Sequence, residues 1–228
     1  MAILERLFPA ECAGCGGPGG PACAPCLRSL SQPAAPSRPR PAPVDLPPTW
    51  TVAAYADPCR SLLIAYKEHS AVGLRPMLAA ALASAVVGAW RTTAGGYGAV
   101  PGRVHLVPVP SSPASVRARG DDVVRSMARR TASVLRSEGV DLRVLPALRP
   151  VRRVADSAGL TAAARAANLA GAFAVPRRFD RTLSGAPVII VDDLITTGAS
   201  LAEAARTLRS SGANVLAAAT VAATQRRA

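Results

Sequence analysis

Hydrophobic and polar positions along this chain alternate between short apolar runs and helical stripes. Val188-Ile189-Ile190-Val191 is an unbroken β-branched run. It cannot alternate between a wet and a dry face, so it predicts a central parallel strand covered on both sides. Residues 51–55, 103–110, 142–145 and 214–221 predict further strands. Leu62, Leu63 and Tyr66 mark a helix over 60–68, and the Ala-rich stretch 78–90 predicts a buried one. Val124, Met127, Thr131 and Val134-Leu135, with arginines opposite, predict a long helix opened by Gly120 and Asp121. Residues 161–172 predict another, and Ala199, Ala202, Ala205 and Leu208 share one face of a last. Strands alternating with helices imply an α/β fold, a doubly wound and mainly parallel sheet with ligands at the carboxyl ends of its strands.

The pattern breaks at 32–48, a proline-rich segment through which neither helix nor strand is expected to continue. It predicts a linker between a small module, 1–31, and the main domain, 49–228. The module holds Cys12, Cys15, Cys23 and Cys26, two Cys-x-x-Cys pairs with glycines between them. Each pair can present both sulfurs to one tetrahedral ion, which predicts structural Zn2+ with no open coordination position. Two disulfides or a redox pair are the other readings of four thiols. The N-terminus lacks the basic-then-apolar layout of a secretory signal, which favours the metal. Cys59 stands alone and reads as a buried apolar residue.

Composition changes this picture in two places. Aromatic residues make up only 4% of the chain, which argues against a stacking platform for single-stranded nucleic acid. The net charge is +13, which suits a polyanionic partner; yet Lys67 is the single lysine, so the excess also fits a general bias toward arginine. The longest uncharged apolar run, 76–90, is too short and Ala-rich to predict a membrane span, so no membrane partner and a cytoplasmic location are expected.

Candidate chemistry concentrates after the β-branched run, in Asp192-Asp193-Leu194-Ile195-Thr196-Thr197-Gly198-Ala199-Ser200. Capping a helix needs one polar residue, and here six of nine positions are polar or glycine. Free backbone N–H groups and the start of a helix favour an anion, while paired carboxylates accept hydrogen bonds from vicinal hydroxyls. One loop therefore offers both ends of a ribose 5-phosphate. A second loop, Val109-Pro110-Ser111 running on to Arg117 and Arg119, is turn-rich and basic, and reads either as a second anion site or as a solvated connector. Lys67 stands where it can reach a phosphate or simply be solvated. Arg165 and Asn168 share a helical face and, with Arg152 and Arg153, can close over a polyphosphate or lie in solvent.

Together these residues resemble the ComF family, amidophosphoribosyltransferase-like proteins that join a four-cysteine zinc module to a type I phosphoribosyltransferase domain. The matching elements are the four cysteines, Tyr55, Ala65-Tyr66-Lys67, Pro108–Ser111, Arg119-Gly120, Leu160, Arg165 with Asn168, Gly171-Ala172-Phe173 and the Asp192-Asp193 loop. The resemblance implies that Asp192 and Asp193 hold ribose hydroxyls and are the catalytic pair. It implies that Thr196 to Ser200 cradle the 5′-phosphate, and that Val109–Ser111 takes the pyrophosphate of phosphoribosyl pyrophosphate with Mg2+. Asp121, Asp122 and Ser157 depart from the family pattern, and two carboxylates beside a pyrophosphate pocket would weaken anion binding. A second function class follows from the same resemblance: a non-catalytic DNA-uptake adaptor that binds single-stranded DNA and a helicase. The sequence names neither the acceptor nor the oligomeric state, a homodimer included.

Overall fold

The computed structural model describes residues 11–93, 103–152 and 161–225. Its strands are β1 (Ala35–Pro36), β2 (Thr49–Ala54), β3 (Val104–Pro108), β4 (Leu142–Val144), β5 (Arg149–Pro150), β6 (Phe173–Ala174), β7 (Pro187–Ile195) and β8 (Asn214–Ala223). Its helices are α1 (Ala24–Arg28), α2 (Cys59–Glu68), α3 (Arg75–Thr93), α4 (Pro113–Arg119), α5 (Val123–Ser137), α6 (Ala162–Leu169), α7 (Asp180–Leu183) and α8 (Ala199–Ser210). Arg153, Ser157 and Leu160 lie outside the described residues.

The main sheet has the order β1-β2-β8-β7-β3-β4, and every pairing after β1–β2 is parallel. The chain runs outward from β3 to β4 and in the opposite direction from β7 to β8. The point where that direction reverses lies between β3 and β7, where open α/β sheets bind ligands. Pro108 pairs with Val191, and the Val109 N–H donates to the Val191 carbonyl at 2.9 Å, so the loops after β3 and β7 leave the sheet side by side.

The β-branched run is covered on both faces, as its pattern predicts. Ile189 and Val191 join a cluster with α2, α3 and α5, while Val188 and Ile190 join one with α8. Among the described residues one helical stretch, Val72–Thr92, is long and apolar enough to cross a bilayer by length and composition; it exceeds the uncharged run because arginines fall within it. In this fold it packs on β2, β8 and α5, with Leu78, Leu82, Ala85 and Val86 fully buried.

Three expectations need correction. The stretch after Ser111 is not all turn: Ser112 accepts the Ser115 N–H at 3.0 Å, and Pro113 pre-sets the first turn of α4. Gly120, at φ 72°, ends α4 rather than opening the next helix, which starts at Val123 behind Asp122 as its cap. The proline-rich segment also carries a strand, β1, on the outer edge of β2, where a missing N–H costs little. Leu46 from this segment is buried against α8 residues, and the four-cysteine segment shares a core with α2 through Cys12, Cys26 and Leu30.

Candidate functional site

Within β7 the two acids cannot face the same way, because successive strand side chains point to opposite faces. Asp193 follows Ile189 and Val191 toward α2 and is only 4% exposed, and its Oδ2 lies 2.8 Å from the Lys67 ammonium. Burial pulls Lys67 down, but the Asp193 carboxylate outweighs it and holds the ammonium above its ordinary pKa. Asp192 is half-buried. Burial first, then the neighbouring charge of Asp193, push its carboxyl well above the usual range.

A cavity of about 350 Å³ opens over this pair. Asp192, Asp193, Leu194, Thr196 and Ser200 line it from the β7 loop, and Val109, Pro110 and Ser111 line it from the β3 loop. Lys67 and Arg119 close its sides. Arg119 is positioned by Glu68, 2.8 Å away, which also borders the cavity. The turn itself forms a second, narrower cavity of about 90 Å³, lined by Asp192, Leu194, Ile195, Thr196, Thr197, Gly198, Ala199 and Ser200 with Arg165 above. The Arg165 guanidinium donates to Thr196 Oγ1 at 3.4 Å. Arg152 instead braces the end of α6, donating to the carbonyls of Asn168 and Ala170 at 2.7 and 2.8 Å.

The helix that starts from this turn shares its missing side-chain cap with α1, α2 and α7. Ser112, Asp122 and Thr161 cap α4, α5 and α6 with their side chains, whereas α8 starts from Gly198 with no side-chain cap. The Ala199 N–H donates to Thr197 Oγ1 at 3.5 Å, and the residues that follow, with the positive end of the dipole, border the narrower cavity, which suits an anion. Gly198 has φ 78°, which favours glycine, and a Cβ there would press on Leu46 at 3.1 Å and Pro39 at 3.3 Å.

Asp121 and Asp122 line neither cavity. Asp121 pairs with Arg75 at 2.8 Å, and Asp122 accepts both the Ser111 hydroxyl at 3.0 Å and the Arg125 N–H at 3.3 Å. Their charges are therefore held by an arginine, a hydroxyl and a helix start. The sequence reading did not reach a third cavity beside the turn, about 560 Å³ and mostly apolar, with Pro113, Pro150, Val151, Leu169 and Phe173 in its walls. Its one sequence signal was the apolar re-entry at Phe173.

The four cysteine sulfurs lie within 4.8 Å of one another, with Cys15 and Cys23 at 3.7 Å. Zinc–sulfur bonds of about 2.3 Å in a tetrahedron put sulfurs about 3.8 Å apart, so the cluster can hold one zinc ion. All five cysteines are free thiols. The Gly14 and Cys23 N–H groups each donate to Cys12 Sγ at 3.3 Å. Burial pushes that thiol up, but these N–H groups outweigh it and bring its pKa to about 6.

No family model matches this chain, and no curated protein matches it either.

Proposed function

We propose that the chain binds a ribose 5-phosphate ligand, phosphoribosyl pyrophosphate or a related nucleotide, on a ComF-like domain of the type I phosphoribosyltransferase kind. The observation that carries this reading is the meeting of Asp192, Thr196 and Ser200 with Pro110, Ser111, Lys67 and Arg119 around one cavity at the sheet's reversal point. In this reading Asp192 accepts the ribose hydroxyls, and the uncapped start of α8 holds the 5′-phosphate. Asp193 acts through Lys67, fixing its ammonium beside the cavity. The Pro110-Ser111 turn and Arg119 take the pyrophosphate.

The reaction breaks the bond between the anomeric carbon and the pyrophosphate oxygen while an acceptor atom bonds to that carbon. Positive charge grows on the ribose, and the electron pair leaves with pyrophosphate. The protein's part is to position and to stabilise charge, with Arg119 and Lys67 on the departing side and Asp192 near the ribose. Asp192 and Ser111 offer the hard oxygen donors that suit Mg2+, which when bound would offset charge on the leaving group. The apolar cavity beside the turn offers room for the acceptor. Free thiols in a zinc-compatible cluster suit a reducing compartment, the cytoplasm.

A thermal-shift series on zinc-loaded protein tests the reading. Phosphoribosyl pyrophosphate with Mg2+ should raise the melting temperature, and Asp192→Asn should abolish the rise. Absence of any shift at millimolar ligand would end it. The exposed Arg129 and Arg130 on α5 favour a second reading, an adaptor on single-stranded DNA with a helicase partner. Steep salt dependence of oligonucleotide binding is its signature.

A further inference from the structure

The buried acid that the proposed chemistry leaves unused is Glu203, one turn into α8, with a side chain only 6% exposed. Its Oε1 accepts the Gly171 N–H at 2.9 Å, the Arg206 guanidinium at 2.8 Å and the Thr207 hydroxyl at 3.3 Å. Its Oε2 accepts a second Arg206 N–H at 2.8 Å. Burial pushes this carboxyl up, but the Arg206 guanidinium and the Gly171 N–H outweigh it and hold the pKa below its ordinary value. Arg206 and Thr207 belong to Glu203's own helix. The bond to Gly171 reaches a different one.

Gly171 is where the chain leaves α6 for β6, in a left-handed turn at φ 68°. Among the described side chains of α6 none is fully buried, so apolar packing holds this helix weakly and its polar ties matter more. Two such ties lie at its C-terminal end: Arg152 on the carbonyls of Asn168 and Ala170, and Glu203 on the Gly171 N–H. A carboxylate accepting a backbone N–H makes the stronger kind of hydrogen bond.

The helix so held borders two cavities. Arg165 lies over the narrower one, and Leu169 lines both that cavity and the apolar one, whose wall continues through Arg152 and Phe173. Ser200, three residues before Glu203 on α8, lines both as well. α8 thus forms one wall with its first turn and holds the facing wall through Glu203.

We infer that Glu203 is a positioning residue: through Gly171 it sets where α6 places Arg165 over the turn and Leu169 between the two cavities. The inference rests on the reading of that turn as a 5′-phosphate cradle, and adds a residue that touches no ligand itself. An anion under Arg165 and an acceptor beside Leu169 then depend on the same tie.

Calorimetric titration of ribose 5-phosphate into the full zinc-loaded chain tests this, with wild type, Glu203→Ala, Arg165→Ala and the double variant compared. Glu203→Ala should weaken binding at least about fivefold, and in the Arg165→Ala background the same change should cost less than about twofold, because the arginine it positions is gone. Glu203→Gln keeps a carbonyl oxygen for the Gly171 N–H and should bind within about twofold of wild type. Additive losses at the two positions, or no loss in Glu203→Ala, overturn the inference and leave the cradle standing. Wild-type protein that takes up no ribose 5-phosphate ends the cradle reading, and the inference falls with it. Hydrogen exchange supplies a readout that needs no variant: ribose 5-phosphate should slow exchange across residues 164–172 of the wild type. Glu203→Ala should speed exchange there and leave β7 and β8 unchanged. A rise spread equally through the sheet would make Glu203 a general stabiliser and overturn the inference.

Discussion

The cysteine cluster and the β7–α8 turn are both built from small residues and tight turns, yet they are finished differently. In the cluster, four sulfurs face one another and backbone N–H groups already point at Cys12. In the turn, a half-buried carboxylate and a helix start with no cap from Gly198 border open space, while the Thr196 and Thr197 hydroxyls accept only long bonds, from Arg165 and the Ala199 N–H. The first arrangement needs only one ion to be complete. The second leaves polar groups bordering open cavities. A residue's type says little about which of these it serves; whether its partners come from the chain itself says a great deal.

The contrast breaks most visibly if metal is withdrawn. Structural zinc contributes on the order of 10 kcal/mol in small sites, so chelation or Cys26→Ser should lower the melting temperature by about 10 °C or more. Scanning calorimetry with and without chelator measures it, and an unchanged transition would show that the cluster adds no metal-dependent stability. Next in size is Lys67→Met, which leaves the buried Asp193 carboxylate unpaired. A loss of about 2 kcal/mol is expected, below the range for fully buried pairs because Lys67 is one-third exposed. Urea titration of Lys67→Met/Asp193→Asn should recover most of it, whereas simple additivity would contradict the pairing.

Gly198→Ala sharpens the comparison from the turn's side. The left-handed backbone and the contact with Leu46 predict about 1–2 kcal/mol of destabilisation by the same titration. The smallest effect has the opposite sign. Asp192 sits beside Asp193 with a raised pKa, so the native state keeps a proton that the unfolded chain has already released above about pH 4. Stability from this group therefore falls as pH rises through that window, and Asp192→Asn removes the dependence. At neutral pH the variant should melt about 2–4 °C higher for each kcal/mol relieved, while losing ligand-induced stabilisation. A variant that melts lower and still responds to ligand would place the open site elsewhere.

Residues 187–200 were legible because strand, acid pair, turn and helix are contiguous, and each step has a local physical signature. The convergence of Val109–Ser111 on the same cavity was also legible, since parallel strands bring their loops to one edge. The Lys67–Asp193 pair was not, because it joins residues far apart in sequence and depends on which face each strand position takes. Asp121 and Asp122 looked like charges in a pyrophosphate pocket until Arg75 and Ser111 were found holding them. The proline-rich segment misled for a similar reason. Its composition forbids regular interior structure, but composition is silent about where a short edge strand and one buried leucine will dock.

The packing of the cysteine segment against α2 has a mechanical consequence along that helix. The Cβ position of Gly14 lies 3.2 Å from Pro58, the residue that starts α2, and Lys67 stands in the last turn of the same helix. A metal seated among the thiols would steady one end of a rod whose other end presents an ammonium to the cavity over Asp193. Hydrogen exchange along α2 would register the linkage as faster opening in metal-stripped protein.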